Sequence, residues 1–267
     1  MPTTWNANAA ATPAAAPDLP EIRRISASDL TWALAEGWRD FTEKRGDLIF
    51  LGLLYPIVCF VAVLFSFNAP LLPLLFPLVA GLSIAGPAVA SGFYELARRR
   101  EEGRDSSWWH FLDPLNGRSR TPLALLTLGI AMLFVAWLAV AYAIYQATLG
   151  ALAPMTVGDV FGRLFTTAEG WELIVLGNLA GAGFAVATLV LAVVSFPMVV
   201  DTPVDAATAV RTSLKAVREN PREVFGWGMR VAGLMLLGMI PAAIGLAVVL
   251  PWLGYATWHL YTRLVVR

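Results

Sequence analysis

The sequence has few charged side chains, and long parts of it have none. Asp, Glu, Lys and Arg make up 14% of the 267 residues, whereas a typical soluble domain has about 25%. Residues 48–94 contain no charged residue at all. A single helix of that length would be about 70 Å long, more than twice the roughly 30 Å of a bilayer core. We therefore expect this stretch to cross a membrane twice, as a hairpin.

Cysteine and histidine are also scarce, which argues against several kinds of site. The only cysteine, Cys59, cannot form an intramolecular disulfide or a thiolate metal site. The two histidines, His110 and His259, are too few for a haem–copper centre. No Ser-His-Asp set, phosphate-binding glycine loop or HExxH motif is present. We predict no catalytic, cofactor-binding or metal-binding residues, and therefore a protein that is not an enzyme and has no cofactor.

The apolar segments alternate with polar ones, and this pattern predicts an all-α fold. We expect a polytopic helical membrane bundle of six transmembrane helices, arranged as three hairpins, with amphipathic cytoplasmic helices. Residues 1–20 are predicted to be a disordered tail and residues 21–267 a single membrane domain. The predicted spans cover residues 47–67, 71–97, 121–149, 171–200, 222–240 and 242–261. The last two depend on a break at Pro241; the alternative is one long span to Leu250, followed by an interfacial helix from Trp252.

Two amphipathic helices are predicted outside the spans. Ser26 and Asp29 have the spacing of a capping box at the start of the first one. Its apolar residues recur at helical spacing, which suits a helix lying in the membrane interface; the alternative is an ordinary helix packed on the cytosolic loops. The second is predicted to begin with Thr202 as its N-cap and Pro203 in its first position.

Positively charged residues are concentrated in segments that an even number of spans would place on one side. Residues 21–47, 98–120, 201–222 and the C-terminal end hold 17 of the 19 Lys and Arg residues. Short loops rich in Lys and Arg stay in the cytoplasm. We therefore predict a multi-pass protein of the inner membrane with both termini cytoplasmic. The preference for Arg over Lys is typical of a GC-rich bacterial genome.

Three strings carry a resemblance to a known family. They are Asp29–Phe41, Gly86–Glu95 and Leu250–Arg263, the last containing Trp258-His259. They resemble the bacterial integral membrane proteins of domain-of-unknown-function family 2189, over about residues 20–267. The resemblance implies a fold and a location. Some family members are labelled as cytochrome c oxidase components, but in this chain Tyr255 replaces the family histidine that would lie nearest His259.

Nine positions are candidates for function or packing. The prolines late in the even-numbered spans could interrupt helices, as transporters do at their sites. Charged residues within or next to spans often mark ion or substrate paths, but Arg230 can also snorkel, and Asp201 can cap a helix or pair with Arg211. The two ends 87–95 and 251–263 are expected on the same side and could form one site. The candidates are Pro87, Tyr94, Glu95, Pro197, Asp201, Arg230, Pro251, Trp258 and His259.

The sequence favours a structural, assembly or interaction component of the bacterial inner membrane. One alternative is a transporter or channel for a small or lipid-like solute, and a second is an accessory subunit of a respiratory oxidase. The expected partners are the lipid bilayer and, as a further hypothesis, other membrane proteins. The zero formal net charge gives no signal for nucleic acid.

Overall fold

A computed structural model describes residues 19–43, 86–151, 157–240 and 244–267, with the single positions 53, 57, 60, 77 and 84. These residues are mostly helical, and the predicted all-helical fold is confirmed for them. The tail, the span 47–67 and most of the span 71–97 lie outside the described residues. The helices are α1 (Ala27–Glu43), α2 (Gly86–Glu101), α3 (Arg120–Ala147), α4 (Val157–Thr166), α5 (Ala168–Ala192), α6 (Ser195–Asp201), α7 (Ala206–Glu219), α8 (Pro221–Met239) and α9 (Leu246–Leu264), with short 3-10 helices at Trp108–Leu115 and Leu149–Ala151.

Two segments are long and apolar enough to cross a membrane. One is α3, with 28 residues, and the other is the 34-residue stretch Ala168–Asp201 that contains α5 and α6. They coincide with the predicted spans 121–149 and 171–200. Large apolar side chains such as Met132 and Leu179 are exposed on both segments. An apolar surface of this extent is unusual in a soluble monomer and suits contact with lipid.

The helical structure is interrupted between α8 and α9, close to the break that the sequence predicted at Pro241. Helix α8 ends at Met239, and α9 begins at Leu246. Because Leu250 and Trp252 both lie inside α9, the alternative of one long span followed by an interfacial helix is wrong.

Helix α9 lies inside the bundle, and α1 packs along it. The buried residues of α1 form one stripe, made of Leu30, Ala33, Gly37, Asp40 and Phe41. At Gly37 the two helices approach so closely that an added Cβ would lie 2.5 Å from the backbone nitrogen of Ala256. Because this stripe is covered by α9, α1 packs on a helix of the bundle and not on the cytosolic loops. The position of α1 in the membrane interface stays a prediction.

The two predicted helix starts differ in outcome. One of the two hydrogen bonds of the predicted capping box is confirmed, because the backbone N–H of Ser26 donates to the Asp29 carboxylate at 2.9 Å. The start of α7 is wrong by three residues: its N-cap is Asp205, whose carboxylate accepts from the backbone N–H of Thr208 at 2.9 Å. Asp at an N-cap is as favourable as Ser or Asn, so the local chemistry allowed two starts.

Of the three candidate prolines, Pro197 has the clearest effect on the backbone. Proline has no N–H, and its ring clashes with the carbonyl four residues earlier, here that of Val193. Helix α5 accordingly ends at Ala192, and α6 starts at Ser195. The Ser213 hydroxyl of α7 bridges the break, donating to the Val190 carbonyl at 2.7 Å. Pro87 follows Gly86, the first described residue of α2, and Pro251 lies inside α9.

The N-terminal and C-terminal segments of the described chain pair with each other. Ile22 and Val265 form an antiparallel bridge, and the Arg23 N–H donates to the Leu264 carbonyl at 2.8 Å. The side chain of Asn220, at the junction of α7 and α8, forms hydrogen bonds with the backbone of the N-terminal segment. Its side chain accepts from the Ile25 N–H at 2.9 Å and donates to the Arg23 carbonyl at 3.1 Å.

Replacing Asn220 with alanine is expected to destabilise this junction by about 2 kcal/mol, because two partly buried hydrogen bonds to the backbone of residues 23 and 25 are lost. Denaturation of the detergent-solubilised protein would measure the loss. Asn116→Ala is the matched control, since that side chain is exposed and makes one long 3.5 Å hydrogen bond. Equal stability of the two variants would contradict the role given to Asn220.

Candidate functional site

Five of the nine predicted positions meet at one end of the bundle, where α2 and α9 finish. They are Tyr94, Glu95, Asp201, Trp258 and His259. The two helices touch: a Cβ added at Gly254 would lie 2.6 Å from the Phe93 Cβ. The rings of Phe93 and Tyr255 also lie 6.4 Å apart between centroids. The structure therefore brings the segments 87–95 and 251–263 into contact, and we call this region the charged end.

Glu95 is the most enclosed carboxylate of the charged end, with 3% of its surface exposed. Arg98 donates to both of its oxygens, at 2.7 Å and 2.9 Å, and the Arg99 Nε donates at 2.8 Å. Arg99 also donates to the Asp113 carboxylate at 2.6 Å, and the His110 Nδ1 lies 2.7 Å from that same carboxylate. The buried negative charge is thus matched by two guanidinium groups that also tie α2 to the following 3-10 helix.

Asp40 of α1 is the second buried carboxylate among the described residues. The Arg100 Nε lies 2.9 Å from one of its oxygens, and the His259 Nε2 lies 2.8 Å from the other. The His259 ring also packs edge-on against Trp32, at 5.6 Å between centroids. This carboxylate joins α1, α2 and α9, which are far apart in sequence.

A third group of contacts surrounds Arg267 at the C-terminal end. Its guanidinium pairs with Glu101 and lies 3.6 Å from the Asp201 carboxylate. The Trp258 indole N–H donates to Glu101 at 3.1 Å, and the Tyr261 hydroxyl donates to Asp201 at 2.8 Å. The predictions that Asp201 caps α7 or pairs with Arg211 are both wrong, because its carboxylate is held by groups from the C-terminal end of the chain.

The pKa of Glu101 lies below its ordinary value. Partial burial by itself raises this pKa, but the hydrogen bond and charge of Arg267, with the Trp258 N–H, outweigh burial. A carboxylate with a depressed pKa stabilises the folded state above its unfolded pKa, and this contribution is lost as pH falls through the folded pKa.

We therefore expect the thermal midpoint of the protein to fall between about pH 5 and about pH 3, partly because Glu101 becomes protonated. Glu101→Gln should flatten this part of the profile, and Arg267→Gln should do the same by removing the partner. An acid profile of Glu101→Gln that is as steep as that of the unsubstituted protein would contradict this assignment.

The remaining candidate with a charge, Arg230, does not join the charged end. It donates to the Gly226 carbonyl of its own helix at 3.1 Å and forms no ion pair with any residue that the structure describes. Sequence reasoning also missed Asp40, Arg100, Glu101 and Arg267. The sequence did contain a signal for Asp40, because it is a charged residue on the otherwise apolar stripe of α1, three residues after Gly37.

The chemistry available here is electrostatic. The two buried carboxylates are held by cations, and within the described ranges no group of three or more His, Cys, Asp or Glu side chains could hold a metal ion. A recess of about 340 Å³ opens beside Glu95 and is lined by Arg98, Arg99 and Arg118. Its excess of guanidinium groups suits an anion.

Comparisons with known proteins agree with the helical, apolar character of the chain. Residues 75–201 match the model of a family described as "Predicted integral membrane protein (DUF2189)". The resemblance is thereby confirmed over residues 75–201, which include the string Gly86–Glu95; the strings Asp29–Phe41 and Leu250–Arg263 lie outside the matched range. Comparison with curated proteins and with solved structures gives no match. The match gives no support to a cytochrome c oxidase label. Over residues 75–201 the chain is thus similar to a family of predicted integral membrane proteins, which agrees with its helical and apolar character.

Proposed function

We propose that this protein is a non-enzymatic structural, assembly or interaction component of a bacterial inner membrane. The observation that carries this proposal is the pairing at the charged end. Both buried carboxylates of the described chain are neutralised by cations from the fold itself, and their contacts join α1, α2 and α9. Groups held in this way support a rigid platform, whereas a catalytic acid or base must face its substrate.

The proposed topology has six spans with both termini in the cytoplasm. It is supported by the bridge between Ile22 and Val265, which keeps the two chain ends together. Arg118 at the start of α3 donates to the Asp201 carbonyl at the end of α6, so two of the cationic segments lie at that same end. The positive-inside rule would place this end in the cytoplasm. A C-terminal reporter that is active only on the periplasmic side would contradict the topology.

An interaction role also has a candidate surface along α8 and at Ile240, the residue that follows it. Met229, Leu236 and Ile240 are among the most exposed apolar side chains that the structure describes, at 73%, 66% and 77%. Such a face can contact lipid or a neighbouring membrane protein.

Crosslinking in native membranes, followed by affinity purification of the full chain, tests the proposed function. We expect a defined set of membrane proteins to co-purify. Substituting Met229 and Leu236 with alanine should reduce this set, and Met132→Ala with Val135→Ala, exposed on α3, is the matched control.

Two results would contradict the proposal. Solute flux into proteoliposomes that is lost when Pro87, Pro197 and Pro251 are replaced would favour a transporter. A Soret band in the absorbance spectrum of the purified protein would favour the oxidase subunit.

A further inference from the structure

We propose that an anionic phospholipid binds where the charged end meets the start of α3. Its phosphate would lie against Arg118 and Arg120, and one acyl chain would follow a groove along α3. The site rests on the membrane location of the protein and does not depend on the assembly role.

The headgroup part of the site is the recess beside Glu95. Arg98 and Arg99 line it, but their charges are used by Glu95 and Asp113. Arg118 also lines the recess and donates to a backbone carbonyl, that of Asp201, at 2.9 Å. It therefore brings a positive charge that no carboxylate among the described residues balances.

Arg120 adds a second such charge beside the recess. It is exposed, it lines the adjoining groove, and no carboxylate of the described chain pairs with it. Arginine presents several N–H donors in a planar fork, a geometry that matches a phosphate group.

The acyl part of the site is a groove of about 680 Å³ along one face of α3. Asn116 lines both the recess and the groove, so the two adjoin each other. Ala124, Thr127 and Ala131 are small and follow the spacing of one helix face, which leaves a trough there. The walls of the trough include Leu123 and Leu128.

Along this surface a polar region is followed by an apolar one, in the same order as the headgroup and the acyl chains of a phospholipid in one leaflet of the bilayer. The 3-10 helix Trp108–Leu115 exposes Trp109 and Leu112, which suit the headgroup level. The large exposed apolar side chains of α3 begin at Leu125, about 7.5 Å along the axis from Arg120. A soluble phosphate would use the recess alone, whereas a lipid uses the recess and the groove together.

Native mass spectrometry of the full detergent-solubilised chain would test the headgroup contact. The probes are phosphatidylglycerol and phosphatidylcholine with identical acyl chains, and we expect the anionic lipid to bind more tightly. Arg118→Gln with Arg120→Gln should weaken phosphatidylglycerol binding about tenfold or more, since each arginine near the surface attracts the anionic lipid. Arg211→Gln with Arg218→Gln removes two exposed arginines from α7 and is the matched control. Equal weakening by both pairs, or no preference for the anionic lipid, would overturn the proposal.

A second pair of variants tests the acyl contact. Ala124→Leu with Ala131→Leu fills the groove with side chains that start from exposed positions, so folding should be retained. We expect weaker phosphatidylglycerol binding, while Ala136→Leu with Ala139→Leu, exposed elsewhere on α3, should bind like the unsubstituted protein. Unchanged binding by the filled groove, together with full competition by glycerol phosphate, would show a soluble-phosphate site and overturn the lipid assignment.

Discussion

Glu95→Ala is expected to destabilise the protein by about 3–5 kcal/mol, because it leaves two largely buried guanidinium groups without their shared carboxylate. Glu95 has 3% of its surface exposed and accepts from both Arg98 and Arg99. The charged end should loosen first, since Arg99 also carries the contact to Asp113. Equilibrium unfolding in mixed detergent micelles would measure the change in the free energy of unfolding.

An exposed ion pair gives the control for this result. Glu36 pairs with Arg39 at 3.0 Å within α1, and the arginine side chain is 66% exposed. Glu36→Ala is therefore expected to cost at most about 1 kcal/mol. A Glu95→Ala variant no less stable than Glu36→Ala would show that the buried pairs do not hold α2 in place.

Gly37→Leu is the second substitution with a large expected effect, a loss of about 3 kcal/mol from overpacking. A Cβ at this position would lie 2.5 Å from the Ala256 nitrogen and 2.7 Å from its Cβ. Because the obstacle is backbone, it cannot be relieved by rotating a side chain, and α1 must move away from α9. Hydrogen exchange should then show faster exchange across α1.

Gly129→Leu is the matched control within α3. A Cβ added there meets no atom within 4 Å, and leucine is a better helix former than glycine by up to about 1 kcal/mol. We expect this variant to be as stable as the unsubstituted protein or slightly more stable. If Gly37→Leu behaved in the same way, the close approach of α1 and α9 would not be required for stability.

The helical segments were predictable because each has a local cause. Charge-free runs between polar segments predicted spans at 121–149 and 171–200, and the structure has α3 at Arg120–Ala147 and α5 with α6 between Ala168 and Asp201. The predicted break at Pro241 agrees with helices that end at Met239 and begin at Leu246. The start of α7 was wrong because Thr202 and Asp205 both satisfy the chemistry of an N-cap.

The candidate site was predictable only in part. The side of the membrane expected for each loop suggested that the segments 87–95 and 251–263 could meet, and they do. The partners of His259 and Asp201 could not be predicted in the same way. Asp40 lies 219 residues from His259 in the sequence, and Tyr261 lies 60 residues from Asp201. No periodic pattern encodes such pairs.

The sequence by itself determined that this is a helical membrane protein, because a chain with so few charges and such long apolar runs must satisfy its backbone hydrogen bonds within helices. It also determined which residue types gather at one end, through the clustering of Lys and Arg between the spans. Only the tertiary structure decided that α1 packs on α9 and which carboxylate each arginine holds. Those choices depend on the close approach of helices at Gly37 and on the burial of Asp40 and Glu95, and both arise only when distant segments pack together.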